Sequence, residues 1–466
     1  MLFVIAAALL GLPAAAIAAP SLHDVVDECR DGGAPERSCR SLEAIDWGAA
    51  AGCRKTVAPA LCEPVDGRSI TPAEIAAYQS SDTHKALAGQ RALDEDLPLR
   101  EAQIVHTHNT FNSSSYFSTL TNQDPNQVYG ITDQLDMDVR FLELDLHWVP
   151  SPFGTVATNG HWVTLCHGNS AIVPGVHIGC TWDRPFQDGL AEVRTWLDAH
   201  PGEFVFLYLE NQLGGGTQAH TVAAQLLDAA FPGSMIYKPP AATPCADMPL
   251  STSRADMKAA GARVLLVGNC GAGDGLGTPW GEVVHSRGGA WDESGSAPYD
   301  AAECTADRTA KLGGSTFRRY FGDSTWLTAM NSGSTDIGPA DAAEMVRCGV
   351  NIVGFDQLMP DDGKLAAMVW SWRTAPPTSS TDCAAQAADG RFDAKPCTDV
   401  LRFACLTSAG AWAISTTTGT ESAGATACAA DYPGSTYGVP GNGWRNDLLR
   451  AAHALVTTDH IWLNHP

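Results

Sequence analysis

The sequence predicts an α/β fold: a TIM-like (β/α)8 barrel over residues 99–375, followed by a small disulfide-stabilised α+β domain over residues 382–466. Three observations predict it. Short runs that are apolar on both faces alternate with helical segments, the pattern of a parallel sheet covered by helices. Polar residues close these runs, as they do at the mouth of a barrel. Beyond residue 375 the rhythm stops, and a Cys-, Trp- and Gly-bearing segment takes over.

In chain order, residues 1–19 of "MLFVIAAALLGLPAAAIAAP" have the apolar run and small-residue cleavage site of a secretory signal. No second long apolar segment follows, so the mature chain is expected to carry no transmembrane segment and to be secreted, extracellular or periplasmic. Residues 20–98 form a Cys-containing arm with one helix, "TPAEIAAYQSSDTHKALAGQRAL", in which Thr71 and Glu74 have capping-box spacing. The runs "AQIVHTHNT", "RFLELDLHWV", "EFVFLYLEN", "ARVLLVGN", "STWLTAMNS" and "VNIVGFDQL" then read as strands. The intervening "PFQDGLAEVRTWLDAHP", "TVAAQLLDAAFPG" and "GPADAAEMVRCG" read as helices. Pro, Ser and Thr mark residues 376–381 as a linker.

Composition narrows the function. With 466 residues and 44% apolar content, the chain can bury a sizeable core in two or three domains. A formal net charge of −23 excludes nucleic acid as a partner, which would need a basic footprint. It also disfavours long-range attraction to an anionic bilayer. The 14 cysteines contain no CxxC pair, so disulfides are expected rather than zinc or redox chemistry. Near neighbours suggest local loops: Cys29 with Cys39, Cys53 with Cys62, Cys166 with Cys180, and Cys397 with Cys405.

The polar residues that close the runs carry the chemistry. They are His108 and Asn109, then Glu143 and Asp145, then Glu210 and Asn211, then Asn269, and finally Asp356 and Gln357. Glu143 and Asp145 are two apart and so share one face of a strand. Phe141, Leu142, Leu144 and Leu146 surround them, and buried carboxylates need a partner. Asn109, Glu143, Asp145 and Glu210 are hard oxygen donors that suit Ca2+, while His108 and His167 can divide proton removal and donation. A cation flanked by two histidines suits phosphate ester chemistry. His106 shares the face of His108 and is its rival. His147 and His161 read as structural or solvent-facing.

These residues, "HTHNTFN", "RFLELDLHW", "LCHGN", "FVFLYLEN" and "GVNIVGFDQL" followed by "VWSW", resemble the calcium-dependent branch of the phosphatidylinositol-specific phospholipase C superfamily over about residues 99–373. The resemblance implies a phosphodiesterase that cleaves phosphatidylinositol at a membrane surface. It implies Ca2+ on Asn109, Glu143, Asp145 and Glu210, with His108 stabilising the phosphoryl group or relaying its proton. His167 is implied as general acid, and Glu143 or Glu210 as an aid in deprotonating the inositol 2-hydroxyl. Asn269 and Asp356 are expected to face substrate.

Residues 382–466 resemble a C-type lectin-like fold in their paired cysteines, "FAC" strand and closing "IWLN". That resemblance implies Cys383 with Cys397 or Cys405, the remainder with Cys428, and a glycan or surface ligand. No Glu-Pro-Asn or Gln-Pro-Asp triplet is present. Two rival functions are a glycerophosphodiester phosphodiesterase, which usually opens His-Arg-Gly where this chain has His-Asn-Thr, and a non-catalytic carbohydrate- or surface-binding protein.

Overall fold

The structure, a computed structural model, describes residues 72–116, 125–150, 158–167, 184–214, 216–295, 299–314, 316–324, 336–377 and 379–465. It also gives the backbone of strands Cys53–Lys55, Cys62–Pro64, Asn169–Val173 and Val176–Ile178. The expected signal, Thr71 of the capping box, Cys29, Cys39, Cys180 and the "STWLTAMNS" run beyond Ser324 lie outside the described residues.

Eight parallel strands follow one another in chain order: β1 (Ile104–Thr107), β2 (Phe141–Pro150), β3 (Val205–Gln212), β4 (Val264–Gly268), β5 (His285–Ser286), β6 (Trp291–Gly295), β7 (Phe317–Phe321) and β8 (Ile352–Phe355). Their spatial order is β5-β4-β3-β2-β1-β8-β7-β6. The sheet therefore curls back so that β8 pairs with β1, and among the described residues no ladder joins β5 to β6. An antiparallel strand, His161–Leu165, extends β2.

Alternation along these strands creates two cores. Leu142, Leu144, Leu146, Leu207, Leu209, Leu266 and Val353 face outward, where the helices cover them. Ile104, Phe141, Phe206, Leu265, Phe317 and Ile352 face inward and fill the N-terminal end of the barrel. Each such side chain contributes roughly 1.5–3 kcal/mol on burial. Continuing inward by twos along the same strands brings His106, Glu143, Tyr208 and Arg319 into a middle layer. His108, Asp145, Glu210, Asn269, Phe321 and Asp356 then fall at the mouth.

The outer helices include α1 (Pro72–Ser80), α2 (Asp82–Leu93), α3 (Ile131–Asp136), α4 (Phe186–Ala199), α5 (Gly216–Ala230), α6 (Arg254–Ala259), α7 (Ala301–Gly313) and α8 (Pro339–Cys348). The single helix expected over residues 71–93 is two. Ser81 takes an extended conformation between them and caps α2 by accepting from the His84 N–H. Strands β5 to β7 were not expected either, because charged residues interrupt "WDESG" and "FRRYF" and β5 is only two residues long.

Residues 382–465 form a second sheet, with β9 (Asp382–Gln386), β10 (Phe392–Pro396), β11 (Arg402–Leu406), β12 (Trp412–Ile414), β13 (Thr436–Tyr437) and β14 (Ile461–Trp462) flanked by α9 (Gly424–Asp431) and α10 (Gly443–Ala454). The first and last strands, β9 and β14, pair directly. Disulfides join Cys383 to Cys397 and Cys405 to Cys428. The local loop expected between Cys397 and Cys405 is therefore corrected: Cys397 pairs across the β9–β10 hairpin, while Cys405 reaches α9. Two further bridges are present: Cys245–Cys270 ties a loop to the end of β4, and Cys304–Cys348 joins α7 to α8.

The second unit docks on the N-terminal end of the barrel strands, opposite the mouth. Asn442 Nδ2 donates to the Glu101 carbonyl at 2.9 Å, and the Gly443 N–H donates to Gln103 Oε1 at 2.6 Å. Asp447 accepts from Arg308 and from Arg347.

Candidate active site

Two strands end in the same way at the mouth. Asn109 follows His108 at φ 45°, and Gln357 follows Asp356 at φ 47°. The left-handed turn swings each chain away after an inward side chain, and asparagine tolerates it better than most residues. His108 and Asp356 meet there, with His108 Nδ1 at 3.2 Å from Asp356 Oδ1. Asp356 is fully buried. Its Oδ2 accepts from the Ser324 N–H at 2.7 Å and from Ser324 Oγ at 3.1 Å, and Asn126 Nδ2 donates to both carboxylate oxygens. Asp356, expected to face substrate, here contacts protein groups: His108, Ser324 and Asn126. Burial opposes a charged His108 ring, but the carboxylates of Asp356 and Glu143 outweigh it and raise its pKa.

His106, the rival, is a different kind of residue. It is fully buried, and its Nδ1 lies 3.0 Å from the Phe141 carbonyl, which can only accept. Nδ1 therefore carries the proton, and Nε2 is left to accept from Arg319 Nη2 at 3.0 Å. Burial and the Arg319 charge push its pKa down to about 4, although Glu143 pulls the other way. His106 is a neutral strut of the middle layer, and Gly354 on β8 leaves room for it.

The carboxylates converge as expected. Ligand atoms of Glu143, Asp145 and Glu210 lie within 4.8 Å of one another. Glu143 Oε2 accepts from the Asn109 N–H at 3.1 Å and from Arg319 Nη2 at 2.5 Å. Burial resists its ionisation, but Arg319 and His108 hold its carboxyl well below the usual range. Asp145 is buried beside Glu210 and Glu143, and all three effects push its carboxyl well above that range. Glu210 is half-buried and is also pushed up, by burial and by Glu143, while Gln212 Nε2 donates to it at 2.9 Å.

This donor set fits a hard divalent cation. The Asn109 side-chain oxygen lies 3.2 Å from both carboxylate oxygens of Asp145. Oxygen facing oxygen is repulsive unless a cation sits between them or the amide is reversed to donate. Burial and the neighbouring carboxylates push Asp145 and Glu210 up, and one guanidinium faces three carboxylates here.

His167 reaches the same region from the turn after His161–Leu165. Its Nδ1 lies 3.1 Å from Asn112 Nδ2, and Asn112 donates to Asn126 Oδ1 at 2.7 Å. Cys166 beside it is disulfide-bonded. Asn269 is half-buried at the end of β4, where its carbonyl accepts from Trp280 Nε1. No hydrogen bond joins its side chain to the carboxylates among the described residues. Asn211 turns away, donating to His220. His147 is buried in β2, His161 stacks on Trp148, and Trp148 and Trp162 are half-buried.

Three residues of the site were not anticipated. Asn126 is buried at its centre and touches His108, Asn109, Asn112 and Asp356. Gln127 Nε2 bridges the His108 and Phe355 carbonyls. Both lie in the polar loop "NQDPNQVYG", which carries no local signal of burial. Arg319 had one available signal: it stands at i+2 and i−2 from Phe317 and Phe321, the inward row of a strand.

Comparison with known proteins places these residues in a family. Residues 64–362 match the family described as the Rv2075c PI-PLC-like domain. Two Mycobacterium tuberculosis sequences, Rv2075c and MT2135, described as uncharacterized proteins, are each 36% identical to this chain over 436 residues, covering 89% of it and 86% of their own length. Among solved structures, the phosphatidylinositol-specific phospholipase C of Staphylococcus aureus superposes with a TM-score of 0.37 at 12% identity, covering 62% of this chain and 98% of its own. A calcium-dependent phosphoinositol-specific phospholipase C from Pseudomonas sp superposes with a TM-score of 0.32 at 17% identity, covering 59% and 93%.

Proposed function

The chain belongs to the family described as the Rv2075c PI-PLC-like domain, and from that premise we propose that it is a secreted calcium-dependent phosphodiesterase that cleaves phosphatidylinositol to diacylglycerol and a cyclic inositol phosphate. The observation that carries the proposal is one hydrogen-bonded network, centred on Asn126, that joins His108, His167 through Asn112, and Asn109 beside the three-carboxylate cluster.

Asn109, Glu143, Asp145 and Glu210 would hold Ca2+, which offsets charge on the phosphoryl oxygens and on the attacking oxygen. The inositol 2-hydroxyl oxygen attacks the adjacent phosphorus. Glu210 takes the hydroxyl proton: its partner is the neutral Gln212 amide, whereas Glu143 is committed to Arg319 and the Asn109 N–H. His108, kept charged by Asp356, donates from Nε2 to a phosphoryl oxygen. As the new O–P bond forms, the bond to the diacylglycerol oxygen breaks and His167 supplies that oxygen with a proton. Attack is intramolecular, so no covalent enzyme intermediate is needed. Asp356 acts through His108, and Asn269 lies at the rim where the inositol ring would enter.

No described helix is long and apolar enough to cross a membrane. Contact with the lipid surface would then be apolar or calcium-bridged, given the net charge of −23. The C-terminal unit keeps its reading as a C-type lectin-like module with a glycan or surface ligand, supported by the pairing of its first and last strands and by its two disulfides.

The test is release of soluble inositol phosphate from phosphatidylinositol vesicles, with Ca2+ and with chelator, by the wild-type protein and by His108→Ala. Calcium-dependent release of a cyclic product, lost in the variant, is expected. Hydrolysis of glycerophosphoinositol in its place would turn the assignment to a glycerophosphodiester phosphodiesterase.

A further inference from the structure

Arg319 connects the carboxylate cluster to the side of the barrel. Its guanidinium is buried, yet two carboxylates from opposite directions share it. Nη2 donates to Glu143 Oε2 at 2.5 Å, and Nη1 donates to Glu293 Oε2 at 3.0 Å. The lone pair of His106 Nε2 and the faces of Phe321 and Tyr208, 4.4 and 4.9 Å away, fix its plane.

Glu293 belongs to β6, beside the seam where, among the described residues, no ladder joins β5 to β6. Arg287, just past β5, donates across that seam to Glu293 Oε1 at 3.1 Å, and Trp291 Nε1 donates to Oε2 at 3.0 Å. The Glu293 side chain is 31% exposed, against 2% for Glu143. An exposed carboxylate at the seam, opposite Arg319 in the β6–β7 register, thus shares its guanidinium with a buried carboxylate of the site.

We propose that Glu293 is a positioning residue for the carboxylate cluster: acting through Arg319, it sets how much positive charge faces Glu143 and hence how tightly the cluster takes a divalent cation. The inference rests on the reading of Glu143, Asp145 and Glu210 as cation ligands. With Glu293 ionised, the guanidinium charge is divided between two carboxylates. With Glu293 neutral, the whole charge faces the cation site and repels its occupant.

The experiment is titration calorimetry of Ca2+ into the full chain, without substrate, for the wild type, Glu293→Gln, Glu293→Asp, Asp145→Asn, Arg319→Met and the double variant of Glu293→Gln with Arg319→Met. Glu293→Gln is expected to weaken Ca2+ binding roughly three- to tenfold, the order for one charge acting across a partly buried site. Glu293→Asp should restore much of it, and Glu293→Gln should have no effect in the Arg319→Met background. If Arg319→Met does not fold, Arg319→Lys replaces it. Its single ammonium cannot bridge both carboxylates, so the effect of Glu293→Gln should shrink. An unchanged Kd in Glu293→Gln, whatever its Tm, alongside lost binding in Asp145→Asn would overturn the proposal and leave the ligand assignment standing. No Ca2+ binding by the wild type would overturn both.

Discussion

His108 and Asp356 stand 248 positions apart in the chain, yet Nδ1 of the ring lies 3.2 Å from the carboxylate. The contact exists because β8 closes onto β1, with Gly354 opposite His106 and Phe355 opposite Thr107. Each strand then continues by one inward residue.

This pair sets a pH dependence. His108 has a raised pKa, since Asp356 and Glu143 outweigh the effect of burial. Its proton is therefore kept above the ordinary value of about 6.5 and is lost as pH rises through the raised one. In Asp356→Asn the alkaline limb of kcat/KM should move to lower pH, with kcat at neutral pH down by roughly a hundredfold or more. A limb that stays in place would assign it to another group.

On the proposed roles, His167→Ala should lower kcat on phosphatidylinositol by roughly 10²–10⁴-fold. The loss should largely disappear with an inositol nitrophenyl phosphodiester, whose leaving group needs no proton. Equal losses on the two substrates would remove His167 from the role of acid.

Gly354→Ala tests the middle layer of the barrel. A Cβ there would lie 2.5 Å from His106 Cδ2 and 3.0 Å from Phe321 Cβ. Overpacking of this kind costs about 1–3 kcal/mol, measurable by urea unfolding. Because Phe321 packs on His108 at 4.7 Å between ring centroids, activity should fall further than stability accounts for.

A fourth prediction concerns the arm rather than the site. Asp138 is buried and accepts from Tyr78 on α1 at 2.6 Å and from Arg91 on α2 at 2.7 Å, with His84 Nδ1 at 2.9 Å. Burial resists its ionisation, but Arg91, His84 and Arg140 hold its carboxyl well below the usual range. A depressed folded value means this stability is present above the unfolded pKa of about 3.9 and lost as pH falls through the folded one. Asn accepts the left-handed φ of 68° at this position, so Asp138→Asn removes the charge without adding backbone strain. It should cost about 3–5 kcal/mol at neutral pH, with the gap to wild type narrowing below about pH 3.9 in denaturant titrations.

How much of this was readable in advance follows from the range of each signal. Alternation within one strand is local, so the rows His106–His108 and Glu143–Asp145 were visible in short stretches. Glu210 was visible for the same reason, closing an apolar run. The roles of the two histidines were harder to separate. Only the carbonyl of Phe141 and the guanidinium of Arg319 make His106 a neutral strut, and both come from other strands.

The cysteines of the C-terminal unit divide in the same way. Their number and the lack of CxxC spacing pointed to disulfides, but nearness in sequence favoured Cys397 with Cys405. Geometry favours Cys383 because β9 and β10 place Cys383 opposite Lys395, within reach of Cys397.

By itself, then, the sequence determined the alternating strands and helices, the acidic and histidine side chains at the strand ends, and the net charge of −23. Only the tertiary structure decided that Asp356 meets His108, that Asn126 lies among the candidate site residues, and that Arg319 stands between Glu143 and Glu293. The physical reason is that a buried charge reads in sequence like a surface charge. What tells them apart is the partner, and barrel closure brings that partner from up to 248 residues away.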